Sequence, residues 1–194
     1  MPDSQLLAAN QLFLKKQFQD AIKIYDQILQ INPQNIDAIN NKGYALGKLK
    51  LHQEAIACYD FGLRLYPNEK TLLINKISSL RKTKQNEQAL VICNQVLASH
   101  PNDNITLYHM ERIFAALTRY SESISCCEKI LESYPSNSEV LFDKAIALAQ
   151  MNSPQMIEVL IAAIKADSRL KIKAKNHSAF EKYNSDQEFL RVVS

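Results

Sequence analysis

The stretch KGYALGKLKLHQEAIACYDFGLRLYP, residues 42–67, decides the fold. Its first half sets Gly43 and Leu46 on one stripe, its second half sets Ala55, Ile56, Tyr59 and Leu63 on another, and Pro67 closes it. Both stripes follow the 3.6-residue period of an amphipathic helix. The proline has no amide proton and clashes with the preceding turn, so it ends the second helix. Outward from this stretch the same punctuation recurs. Pro33, Pro67, Pro101 and Pro135 stand 34 residues apart. Twelve residues before each lies a small residue, Ala21, Ala55, Ala89 or Ser123; four further on come Tyr25, Tyr59, Cys93 and Cys127, and three after those Ile28, Gly62, Val96 and Ile130. Chance does not space four copies this way.

The period has a physical reading. Leu12, Leu46, Leu80 and Phe114 fall on first-half helices, and Ile39, Leu73, Leu107 and Leu141 extend the stripe. Each unit of the period is therefore a helical hairpin whose small residue lets its two helices approach closely. One hairpin cannot bury both stripes, so neighbours must stack. At ~25 cal/mol per Å² of apolar area, that stacking supplies most of the stability.

The segment Lys42-Gly43-x2-Leu46, followed by Ala55-x3-Tyr59 and Pro67, resembles the tetratricopeptide-repeat (TPR) unit, whose pattern is L-G-x2-Y, then A-x3-F, then P. The resemblance implies an all-α fold, a right-handed α-α superhelical solenoid of TPR hairpins over 2–35, 36–69, 70–103, 104–137 and 138–168, with capping helices over 169–194. Two departures stand out. The slot that holds Ala9, Gly43 and Ala145 holds Ile77 and Glu111 in the third and fourth repeats, where local repacking is expected. In the fifth repeat Asp167-Ser168 takes the usual Asp-Pro place one residue early, which puts a one-residue deletion near Asn152-Ser153-Pro154 and a core stripe at Met156, Leu160 and Ala163. From Arg169 to Ser194 there are six basic and three acidic residues, with Phe180, Tyr183, Phe189 and Leu190 spaced as apolar anchors on two short helices. That basic excess is small beside a nucleic-acid-binding arm, and a cap is the simpler reading.

Composition excludes several classes of function. With 194 residues and only three glycines, at 43, 47 and 62, a backbone phosphate cradle has nothing to be built from. G-x-S-x-G, G-x-x-x-x-G-K, G-x-G-x-x-G and H-E-x-x-H are absent, so the chain reads as not an enzyme and as needing no cofactor. His52, His100, His109 and His177 lack metal-ligand spacing. Cys58, Cys93, Cys126 and Cys127 form no C-x-x-C pair and read as reduced thiols in or beside the core, with one of Cys126 and Cys127 pointing outward. No leader and no run long enough to span a membrane is visible, and the expected location is cytoplasmic.

In TPR proteins the first helices line a concave face that holds a peptide or a partner helix, and this implies where a partner would sit. One column on those helices reads Asn41, Asn75, His109, Asp143, and a second on the same face reads Asn10, Tyr44, Ser78, Arg112. Tyr108, beside His109, completes the candidate partner-binding set. Asparagine offers donor and acceptor together, which suits the backbone of an extended peptide. The family's carboxylate clamp, which grips acidic chaperone C-terminal tails, also needs cations. Leu6, Thr71 and Asn75 occupy those slots in one register, and Asn40, Ile105 and His109 in the next, so such tails are not expected partners. The expected function is a protein-binding adaptor with no small-molecule substrate and no membrane contact. A self-associating scaffold is the alternative. RNA binding is weaker, because the first 168 residues carry no net charge.

Overall fold

The structure of the protein is a computed structural model and describes residues 2–194. Among these residues every regular element is a helix: α1 (Pro2–Leu14), α2 (Phe18–Ile31), α3 (Ile36–Lys48), α4 (His52–Leu65), α5 (Lys70–Lys82), α6 (Asn86–Ser99), α7 (Asn104–Ala116), α8 (Tyr120–Ser133), α9 (Ser138–Gln150), α10 (Met156–Ala166), α11 (Leu170–Lys175), a 3₁₀ helix (Ser178–Tyr183) and α12 (Gln187–Val193). They form two compact units that divide after Ser99.

The helix boundaries have chemical causes that repeat with the period. Each first helix after a proline begins at a side-chain cap: Asn35 accepts from the amide of Ala38, Glu69 from Thr71, Asp103 from Thr106 and Asn137 from Val140. Two residues past the end of each first helix stands a residue with left-handed backbone, namely Lys16, Lys50, Lys84, Thr118 and Asn152, with φ between 55° and 63°. The amide after each of these reaches back to the carbonyl five residues earlier, as Gln17 does to Leu12 and Ser153 to Leu148. This is the Schellman closure, made here without glycine.

In the unit that ends at Ser99, α1 packs on α2, α2 on α3, α3 on α4, α4 on α5 and α5 on α6. Ala21, Tyr25, Ile28, Ile39, Ala55 and Tyr59 are buried, as the two stripes require. In the other unit α7 packs on α8, α8 on α9 and α9 on α10, and Leu107, Phe114, Ile130 and Leu141 are buried.

The bulky slots are accommodated by exchange of volume across the hairpin. Where Ala9 and Gly43 stand, Tyr25 and Tyr59 fill the opposite column; where Ile77 and Glu111 stand, that column shrinks to Cys93 and Cys127. Glu111 is buried, and its Oε1 accepts from Ser123 Oγ at 3.2 Å. One expectation about the thiols is corrected. Cys126 and Cys127 are both buried, because the α8 stripe is wide enough to include the column that also holds Ile24, Cys58 and Ile92.

Past Asn152 the chain shortens. The left-handed turn keeps its register, but α10 begins only at Met156, and Met156, Leu160 and Ala163 form its buried stripe. The following segment closes over α9 and α10 with α11, the 3₁₀ helix and α12. Phe180 and Phe189 are buried and stack at 5.8 Å, and Tyr183 packs beside them. Leu190 does not serve as an anchor: it is 42% exposed, while Val193, one turn of α12 further on, is buried.

Candidate functional site

In the first unit the first-helix face is carried by α1, α3 and α5, and its polar centre is a chain of amides. Tyr25, fully buried on α2, donates its hydroxyl to Asn10 Oδ1 at 2.7 Å. Asn41 Nδ2 donates to the same oxygen at 3.0 Å, Asn40 Nδ2 donates to Asn41 Oδ1 at 3.2 Å, and Asn75 Nδ2 donates to Asn40 Oδ1 at 2.8 Å. Burial raises the Tyr25 pKa above its ordinary value, and the Asn41 amide against the hydroxyl partly offsets this.

Two cavities open on this face and share Tyr44. One, of about 280 Å³, is lined by Asn10, Phe13, Leu14, Tyr25, Asn41 and Tyr44. Phe13 and Tyr44 stack at 5.3 Å, and Leu14 is 79% exposed at the rim. The other, of about 170 Å³, contains Tyr44, Lys48, His52, Asn75, Ser78 and Lys82 in its lining. Lys48 Nζ lies 4.8 Å from the centre of the Tyr44 ring, where a cation is attracted to the ring face.

In the second unit α7 and α9 carry the corresponding face. Arg112 donates to the Tyr108 hydroxyl, lies over the Tyr108 ring at 4.9 Å, and pairs with Asp143 at 3.1 Å and more loosely with Glu111 at 3.6 Å. A cavity of about 310 Å³ beside them also takes Lys173 and His177 into its lining, and Lys173 Nζ sits 4.6 Å over the Phe142 ring. Burial would lower the Arg112 pKa, but Asp143, Tyr108 and Glu111 outweigh it. Burial pushes the Asp143 carboxyl up against the pull of Arg112 and Lys173. His177 is held below its ordinary value by burial and by Lys173, with Asp143 opposing.

Eight of the nine candidates therefore fall into two groups. Asn10, Asn41, Tyr44, Asn75 and Ser78 share the first-unit face, and Tyr108, Arg112 and Asp143 share the second-unit cluster. His109 is half-buried on α7 and does not line that cavity. The sequence columns missed Asn40, the bridge between Asn41 and Asn75, and the cavity residues Phe13, Leu14, Lys48 and Lys82. The signal for Phe13 and Leu14 was their place three and four residues after Asn10, hence on its face. Among the described residues no group of three or more His, Cys, Asp or Glu could hold a metal ion, and no helix is long and apolar enough to cross a membrane.

The sequence matches the family profile described as Psidin, N-terminal TPR repeats region, over residues 48–164, and that described as tetratricopeptide repeat over residues 3–35. The chain belongs to the TPR family. Among solved structures it is similar to MamA from Desulfovibrio magneticus RS-1, with a TM-score of 0.81, 16% identity and coverage of 87% of this chain and 96% of that one. It is similar also to YrrB, described as a TPR protein with an unusual peptide-binding site, with a TM-score of 0.73, 20% identity and coverage of 89% and 91%. A tetratricopeptide repeat protein from Parabacteroides merdae ATCC 43184 matches with a TM-score of 0.83, 19% identity and coverage of 98% and 75%. At these identities the likeness shows the TPR fold. Comparison with curated proteins found no significant match. TPR repeats are protein-interaction modules and in general not catalytic, and this chain has their architecture.

Proposed function

We propose that the chain is a cytoplasmic, non-catalytic adaptor whose first-helix face holds an extended peptide or partner segment. The observation that carries this reading is the convergence in the first unit of Asn10, Asn41 and Tyr44 on one open cavity beside Asn75 and Ser78. Amides there present donors and acceptors at the edge of apolar walls, which suits a peptide backbone with an apolar side chain. YrrB, of the same fold, is described by its peptide-binding site, which supports the choice of ligand class. The cluster of Arg112, Tyr108 and Asp143, with His109 beside it, is a separate candidate contact on the second unit, and residues 169–194 act as the cap that follows five hairpins over 2–168. Acidic chaperone tails are not the partner, because the clamp slots lack cations.

The test is photo-crosslinking in native cell extract, with p-benzoylphenylalanine placed at Tyr44 in one sample and at Val91, exposed on α6, in another. A discrete partner band from position 44 that is absent from position 91 is expected. Crosslinks from position 91 alone would place the partner on the second-helix face and contradict the reading.

A further inference from the structure

The direction of the amide chain determines what the site can offer a ligand. Asn10 Oδ1 has two lone pairs, and Tyr25 Oη and Asn41 Nδ2 occupy both. Asn10 therefore faces a ligand only with the two protons of its Nδ2. The chain of amides could run the other way and keep its bonds, with Asn10 donating to Tyr25. That would strip the fully buried Tyr25 hydroxyl of the acceptor for its proton, and a buried donor left unmade is costly. Tyr25 thus sets the polarity of the whole chain from the core.

The charges are one-sided as well. The cavity that adjoins the apolar one at Tyr44 is lined by two exposed lysines, Lys48 and Lys82, and by no carboxylate. His52 in the same lining has its Nδ1 buried without a hydrogen-bond partner. The apolar cavity carries no charged side chain.

We propose that the first unit takes an extended peptide segment bearing a bulky apolar side chain next to an acidic one. The apolar side chain lies against Phe13, Leu14 and Tyr44, the carboxylate lies between Lys48 and Lys82, and a backbone carbonyl accepts from Asn10. This rests on the peptide-binding reading above and narrows it. It differs from the carboxylate clamp in the place of its cations, Lys48 and Lys82, which lie outside the clamp slots at Leu6, Thr71 and Asn75, and an acidic tail without an apolar anchor is not a ligand. Tyr25 acts as a positioning residue through its hydroxyl, which holds Asn10, while its ring forms part of the cavity wall.

The test uses the full chain and three pools of terminally capped, degenerate hexapeptides, read by fluorescence anisotropy: leucine beside glutamate, leucine beside lysine, and serine beside glutamate. The leucine-glutamate pool should bind about tenfold more tightly than either of the others, since a charge-assisted contact and a buried leucine are each worth roughly that factor. Lys48→Glu/Lys82→Glu should invert the preference between the two leucine pools. The milder Lys48→Gln/Lys82→Gln should level them if the reversed charges impair folding. Tyr25→Phe should weaken both leucine pools by the same factor, about fivefold, leaving their ratio unchanged. Three pools bound alike, or a preference untouched by the lysine variants, would overturn the inference and leave peptide binding standing. No binding of any pool would also overturn it, and the Tyr44 crosslink then decides whether the broader reading survives.

Discussion

A Cβ added to Gly43 would stand 2.4 Å from Cε1 of Tyr59 and 2.7 Å from its Cζ, so the α3–α4 crossing is closed by a ring resting on bare backbone. Tyr59 is buried, and its ring has no free direction in which to retreat. Gly43→Ala would gain about 1 kcal/mol of helix propensity and still lose about 2 kcal/mol net through overpacking. Urea unfolding at fixed m-value checks this. In a Tyr59→Cys background, which copies the third and fourth repeats, the same change should become favourable, with a coupling of about 1–3 kcal/mol between the sites.

The hairpin turn at Thr118 carries strain that its neighbours carry less of. All five turns place a residue in the left-handed region, but only Thr118, at φ 58°, is β-branched. Thr118→Gly should raise the unfolding free energy by about 1 kcal/mol, the relieved strain exceeding the extra backbone entropy. Lys50→Gly should gain less, and equal gains from the two in thermal unfolding would show that branching is irrelevant there.

Burial pushes the thiols of Cys58 and Cys126 up to about 11 and raises that of Cys127 as well. The folded chain therefore retains protons that the unfolded chain releases above about pH 8.5. Stability should be complete below that pH and fall as pH rises from about 9 through 11, by up to ~1.4 kcal/mol per pH unit for each thiol. Replacing both Cys126 and Cys127 with Ala should flatten this slope. At pH 8 the native thiols should react with a disulfide reagent far more slowly than the urea-unfolded ones.

Arg112 serves the fold as well as the candidate site. Its pairing with Asp143, whose side chain is 15% exposed, compensates a carboxylate that burial already disfavours. Arg112→Ala should cost about 1–3 kcal/mol at pH 7. The loss should shrink as pH falls towards 5, because Asp143 without its cation has a further raised pKa and its contribution is lost on deprotonation. Arg112→Ala/Asp143→Asn should recover most of the stability at pH 7, and a pH-independent loss in the single variant would show that Asp143 is not the group left uncompensated.

What the sequence made legible was what repeats. The prolines, the small residues and the leucine columns follow from stacking identical hairpins, and the buried stripe Met156, Leu160 and Ala163 could be located even across a deletion. What escaped was what depends on a neighbour's volume or on a single hydrogen bond. Ile77 and Glu111 read as crowding until Cys93 and Cys127 are seen as the compensating column. Asn40 read as a clamp slot and not as the bridge joining Asn41 to Asn75, because adjacency in the chain hides that its amide reaches α5. Leu190 fitted the apolar spacing of a cap, yet the seven-residue α12 buries only one stripe, and Phe189 and Val193 take it.

The most direct test of the first-helix site is a side-chain amide NMR titration of the full chain with the leucine-glutamate hexapeptide pool. The account predicts that the Nδ2 proton signals of Asn10 shift most, with those of Asn41 and Asn75 following through their shared hydrogen bonds. Shifts confined to residues of α2, α4 and α6, with the asparagine amides unmoved, would contradict it.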